Sequence, residues 1–151
     1  MTGVASAEIN RTRIVATARG WLRTPYHHQA AVKGAGCDCL GLLRGVFAEL
    51  YGAEPEVPPP YTPSWAEDRA CEALRDAARR HLAEIPTGEA DAGDVILFRW
   101  RDGLPAKHCA ILTARNRMIH AYDGHAVAES WIPDAWARRA AYAFRFPGVD
   151  Q

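Results

Sequence analysis

The spacing of apolar residues changes partway along this chain, and that change limits its possible folds more than any other feature. Up to about residue 82 the apolar side chains recur at helical intervals. From Asp91 onward they come in short runs divided by turn residues. A first helical segment starts near Ser6 and places Ile14, Ala18, Trp21 and Leu22 on one face. Thr24-Pro25 ends it, because proline steers the preceding residue away from helical geometry. A loop from Pro25 to Gly36 follows. The second segment is the clearest: Cys39, Leu42, Leu43, Val46, Phe47 and Leu50 form a continuous stripe. Asp38 stands at its N-cap and Gly52 at its end. Pro55 to Pro63 reads as extended connecting chain. Ser64-Trp65-Ala66-Glu67 then has the form of a capping box, and Leu74, Ala77, Ala78, His81 and Leu82 carry a third helix to the stop at Ile85-Pro86.

Beyond the Gly93-Asp94 turn the sequence predicts strands over Val95 to Phe98, Lys107 to Thr113, Arg117 to Tyr122, Val127 to Ile132 and Ala141 to Phe146. Asn116, Asp123-Gly124 and Pro133-Asp134 separate the last four. Helices first and strands last imply an α+β fold, with helices packed on a mostly antiparallel sheet of five or six strands. At 151 residues the chain suits a single domain spanning its whole length.

Its 18 basic and 18 acidic residues balance, so no net field draws it to nucleic acid or an anionic membrane. No apolar run approaches the roughly 18 residues of a membrane span. Met1 to Glu8 lacks a basic region followed by an apolar stretch, and the expectation is a chain made in the cytoplasm without a signal peptide.

Four cysteines, Cys37, Cys39, Cys71 and Cys109, read as free thiols in a chain long enough not to need disulfide staples. Cys39 falls in the first turn of the second helix. There the helix dipole and unpartnered amides favour the thiolate and can hold an oxyanion. A cysteine alone at such a position reads more readily as a small core residue. A nucleophile also needs a base. Of six histidines, His81 reads as a packing or surface residue, His125 as a solvated loop residue, and His27 and His28 as groove-lining candidates. His108 begins one predicted strand and His120 ends the next. A hairpin around Asn116 would make them neighbours across the ladder, with side-chain alternation able to place both on one face. His108 is then the candidate base and His120 its orienter, while Cys109, Ile111 and Ile119 point into the core. The Cys37-Asp38-Cys39 pair, with His108, Cys109 and His120, raises zinc or iron–sulfur ligation as a rival. One intervening residue is short for a structural zinc pair, and no second pair exists. Cys37 reads as a loop residue beside the nucleophile, able to form a regulatory disulfide with it.

Thr24-Pro-Tyr26, Gly36-Cys-Asp-Cys-Leu-Gly-Leu42, Gly93-Asp-Val-Ile-Leu-Phe98, Lys107-His-Cys-Ala-Ile111 and Ile119-His-Ala121 together resemble the NlpC/P60 peptidase pattern in order and spacing. The likeness is greatest to the subgroup found with tails of phages and gene transfer agents. It implies a papain-like fold, an endopeptidase acting on peptidoglycan stem peptides, commonly between D-glutamate and a diamino acid, and no metal or other cofactor. It implies Cys39 as nucleophile, His108 as base and His120 as third residue. Tyr26 would reach towards the nucleophile or bound carbonyl, and Asp38 would steady the loop before the nucleophile. The family's Asp-Cys-Ser-Gly is here Asp38-Cys39-Leu40-Gly41, with leucine in place of serine. Delivery by a tail particle, with tail-tip or baseplate proteins as partners, would bring such a chain to the cell wall. An amidase or acyltransferase on the same fold, or an inactive structural component of the tail tip, are the other readings.

Overall fold

The computed structural model describes residues 8–58, 72–122 and 124–149. The expected helix start at Ser6, the Pro59 to Pro63 part of the proline-rich link, the Ser64–Glu67 capping box, Cys71 and Asp123 lie outside the described residues.

Helix α1 spans Arg11–Arg19 and is capped by Asn10, whose Oδ1 accepts the Arg13 amide at 2.8 Å. It stops one turn before Thr24. Arg23 N–H donates to Val127 O (2.8 Å) and Val127 N–H donates to Thr24 O (2.9 Å), so long-range pairing takes this stretch out of the helix. Arg23 accordingly sits at φ 74°, a left-handed conformation that non-glycine residues adopt only where surroundings impose it. A two-stranded ribbon follows, β1 Ala31–Val32 against β2 Gly36–Cys37, within the stretch expected as loop. Helix α2, Cys39–Tyr51, begins at Asp38 as its sequence requires and ends at Gly52 with φ 92°.

Helix α3 covers Ala73–His81. Its expected continuation is strand β3, Ala83–Ile85, which pairs with Ala143–Arg145 and forms the sixth strand. A 3-10 turn at Thr87–Glu89 leads to β4 Val95–Phe98, β5 His108–Ala114, β6 Arg117–His120 and β7 Ala128–Trp131. A four-residue helix α4, Asp134–Ala137, precedes β8 Ala140–Arg145. The six strands run antiparallel in the order β3-β8-β4-β5-β6-β7. This is the expected α+β arrangement.

Alternation along the strands makes two apolar layers. Val95, Leu97, Cys109, Ile111, Ile119 and Phe144 face the helices and meet Ile14, Ala18, Trp21, Leu42 and Val46. Ile96, Phe98, Ala110, Leu112, Met118 and Ala143 form the opposite layer, against which Ile85, Ile132 and Trp136 pack. Each large aliphatic or aromatic side chain removed from water contributes about 1.5–3 kcal/mol. The helix layer is close-packed: a Cβ on Gly45 of α2 would lie 2.1 Å from the Trp21 ring. That ring also donates from Nε1 to Glu49 Oε1 at 2.6 Å. Asp94, fully buried at the start of β4, ties the sheet to α1. Its carboxylate takes Arg145 Nε (3.1 Å) and Nη2 (3.0 Å) and Arg11 Nη1 (3.1 Å).

Candidate functional site

Asp38 organises the entrance to α2. It is 3% exposed; its Oδ1 accepts the Gly41 amide and its Oδ2 the Gln29 amide, both at 2.7 Å. One carboxylate thus caps the helix and pins the preceding loop to it, with His28 Nδ1 at 3.9 Å from Oδ2. The loop crosses so close to the first turn that a Cβ on Gly41 would lie 1.8 Å from the Ala30 carbonyl oxygen. Gly41 therefore makes room for a carbonyl of this chain. Thr24-Pro25-Tyr26 runs beside β2, where Cys37 N–H donates to Pro25 O at 3.0 Å and Tyr26 bridges to Cys37. Tyr26 is half-buried against the apolar layer, in the loop segment that runs beside the residues leading into Cys39. His27 lies against Gly36, with Cδ2 2.6 Å from where a Cβ would stand.

Cys39 is the first residue of α2, half-buried, its Sγ 4.0 Å from the Lys107 carbonyl that immediately precedes β5. Asp38 occupies the Gly41 amide, which leaves the Cys39 and Leu40 amides ahead of it outside the helical ladder. Beneath the turn lies Cys109. Its Sγ faces the helix layer as alternation requires and also donates to the Cys39 carbonyl oxygen at 3.2 Å, a contact that strand periodicity alone does not reveal. The three described thiols differ sharply in acidity. A side-chain interaction between the Cys109 and Cys39 sulfurs, distinct from the bond to the carbonyl, lowers the Cys39 thiol well below its ordinary value, and His108 adds to this, against burial and the Asp38 charge. Cys109 is driven well up by its bond to Cys39 and by burial. Cys37 is pushed up to about 12, chiefly by burial. Of the three, only Cys39 is shifted towards the thiolate.

His108 opens β5 and is 4% exposed. Continuing the Ile111↔Ile119 register by three residues sets His108 diagonal to His120 on the same face, rather than directly opposite it. Their rings meet edge to face with centroids 5.1 Å apart, and His108 Nε2 lies 2.9 Å from His120 Nδ1. Burial, followed by the charges of His108 and His125, lowers His120 to about 4. At neutral pH His120 is uncharged. Against an imidazolium at His108 its Nδ1 is the acceptor, and His108 Nδ1 is left for the thiolate.

Sequence reasoning thus names the sulfur and two imidazoles that the fold brings together. It misses what encloses them. Trp100 stacks on His108 (centroids 5.2 Å, interplanar 29°), and Trp136 stands edge-on to both histidines. Trp100 lies outside any periodic segment and Trp136 on a one-turn helix, so neither carries a pattern signal. His125, exposed, stacks on Tyr122 (5.8 Å, 9°), and His81 bonds Glu56 at 2.7 Å, away from the site. Among the described residues no group of three or more His, Cys, Asp or Glu side chains could hold a metal ion.

A helix-borne cysteine beside a histidine pair on an antiparallel sheet defines the papain-like fold. The NlpC/P60 family profile matches residues 23–145, and the chain belongs to the NlpC/P60 family. Solved structures agree on the fold. The NlpC/p60 domain of the peptidoglycan hydrolase SagA superposes with a TM-score of 0.66 at 22% identity, over 91% of this chain and 100% of that one. An NLP/P60-family protein similar to lipoprotein from Staphylococcus aureus gives 0.61 at 24% identity, over 93% of this chain and 42% of that one. The peptidoglycan hydrolase RipB from Mycobacterium tuberculosis gives 0.59 at 18% identity, over 89% and 63% respectively. The chain thus spans all of the first and less than two thirds of the other two. No curated protein matches it in sequence.

Proposed function

We propose that this chain is a cysteine peptidase that hydrolyses peptidoglycan stem peptides. The observation that carries the proposal is the position of Cys39 in the first turn of a capped helix, its Sγ against the residue that precedes His108, whose ring lies 2.9 Å from His120. In the reaction, the Cys39 thiolate attacks the scissile carbonyl carbon, and the amides of Cys39 and Leu40 receive the oxyanion. His108 gives its Nδ1 proton to the leaving amine as the C–N bond breaks and a thioester remains. It then takes a proton from water, whose oxygen attacks the thioester and releases the acid and the thiolate. His120 holds the His108 ring in orientation throughout. Tyr26, in the loop beside the nucleophile's approach, is assigned to the bound carbonyl, and Asp38 to steadying the turn. The substrate side rests on the family and on what SagA and RipB are named for.

The bond proposed is that between D-glutamate and the diamino acid, reached by a chain made in the cytoplasm and carried to the wall in a phage-like tail alongside tail-tip or baseplate proteins. Likeness of the motif set to the tail-associated subgroup supports that delivery. Among the described residues no helix is long and apolar enough to cross a membrane. Leu40, the departure from the family serine, lines an apolar cavity with Leu43, Phe47 and Leu74. Leu40 thus adds an apolar side chain to that lining.

Digestion of purified peptidoglycan, with fragments identified by mass spectrometry, tests the proposal. New D-glutamate carboxyl and diamino-acid amino termini are expected, and Cys39→Ala should abolish them with its melting temperature unchanged. New termini only at the sugar–peptide amide would instead establish an amidase. Cleavage by Cys39→Ala at the wild-type rate would reject the nucleophile.

A further inference from the structure

We propose that Trp136 is a positioning residue that acts through His120, its ring shutting water from the imidazole pair so that His120 stays a neutral acceptor for His108. The inference rests on the reading of His108 as base. Helix α4 has only four residues, and Asp134, Ala135 and Ala137 are exposed; Trp136 alone is partly buried. The turn is fixed at both ends, by Trp136 N–H donating to Pro133 O (2.9 Å) and Arg139 N–H to Trp136 O (2.8 Å). Its one inward side chain meets five rings edge-on: His120 at 5.3 Å, His108 at 5.5 Å, Trp100 at 4.9 Å, Tyr122 at 5.4 Å and Phe98 at 5.5 Å between centroids. Trp100 covers the His108 face, so the two indoles meet at the corner where the histidines join.

Among the described residues, the titratable and charged groups on the surrounding elements are few. His108 lies on β5, with Cys39 of α2 beyond it; Tyr122 and His125 lie on the turn after β6. Glu129 on β7 is engaged by Arg19 and Arg117. Asp134 and Arg138 are exposed at the two ends of α4 and Arg101 is exposed beside Trp100. No carboxylate among the described residues bonds the half-buried His120, and burial is the largest cause of its lowering to about 4. A protonated His120 would present Nδ1–H to the Nε2–H of His108 imidazolium across 2.9 Å, donor against donor, and release the base.

The experiment follows iodoacetamide alkylation of Cys39 against pH, read by peptide mass spectrometry on the full chain, with imidazole titration by 15N NMR. It needs no wall substrate, so failure to digest peptidoglycan would reject the peptidase reading separately. Trp136→Ala should move the acid limb of alkylation up by one pH unit or more. Full relief of His120 from about 4 to its ordinary 6.5 would cut its neutral fraction at pH 5 about 30-fold. Trp136→Phe, which keeps a ring against His120, should return the limb towards the wild-type position. A limb in Trp136→Ala that only loses height, with His120 still titrating near 4, overturns the proposal. Should that variant not fold, wild-type His120 decides: protonation near 6.5 overturns the proposal and protonation near 4 upholds it.

Discussion

Removing the Asp94 carboxylate tests whether the charge cluster beneath the sheet holds the fold without touching the chemistry. Asp94 is fully buried, and Arg145, which it grips through both oxygens, has a side chain only 8% exposed. In Asp94→Ala the Arg145 guanidinium keeps, among the described residues, a single long contact, to the Glu89 carbonyl at 3.5 Å. Arg11, 24% exposed, turns to water and keeps its bond to Ala92 O at 2.6 Å. The loss is therefore essentially that of one half of a buried ion pair, about 3–5 kcal/mol. Against a stability of about 5–15 kcal/mol this is large, and for a chain of this size it lowers the melting temperature by roughly 6–20 °C. Urea unfolding should show a lower midpoint at unchanged slope. The double variant Asp94→Ala/Arg145→Met, which also removes the stranded charge, should recover more than half the loss. Val95 pairs with Ile111 at one end of β4 and Phe98 with His108 at the other, so Cys39 alkylation in the cold should match wild type. A single-variant loss under about 1 kcal/mol, or a double variant no more stable than the single, would refute the argument.

Two further outcomes follow from the same contacts. Gly41→Ala should cost about 1–3 kcal/mol by overpacking and slow Cys39 alkylation, because the Ala30 carbonyl 1.8 Å from the new methyl must move and carry the loop with it; a variant with wild-type stability and reactivity would show that the loop yields freely. Glu129 is lowered to about 2 from 4.5, first by Arg19 and then by neighbours including Arg117, so its contribution to stability is complete above about pH 4.5 and is lost as pH falls towards 2. Glu129→Gln should flatten that part of the stability curve measured by urea midpoints, and an unaltered slope there would exclude the pair as a contributor.

Much of the fold was legible because it is local. The stripe on α2, its Asp38 cap and its Gly52 stop each depend on neighbours a few residues away, and the structure reproduces all three. The β5–β6 hairpin follows from alternation around one turn, and it brings His108 to His120 on one face. What was not legible arises from partners far along the chain. Helix α1 stops early because Val127 claims the backbone of Arg23 and Thr24. Ala83–Ile85 is a strand because β8 offers an edge to pair with.

The sequence by itself determined the helices-then-sheet order, the place of Cys39 at a capped helix start and that of His108 and His120 on one hairpin, since capping and periodicity act over one or two turns of chain. Only the tertiary structure decided that Cys109 lies under Cys39 and that Trp136 packs edge-on against the histidines. Those contacts join residues 70 apart and 16 apart respectively, through the packing of a helix on a sheet and the return of one short turn. No local preference encodes a contact whose energy exists only once both surfaces have been brought together and water has left.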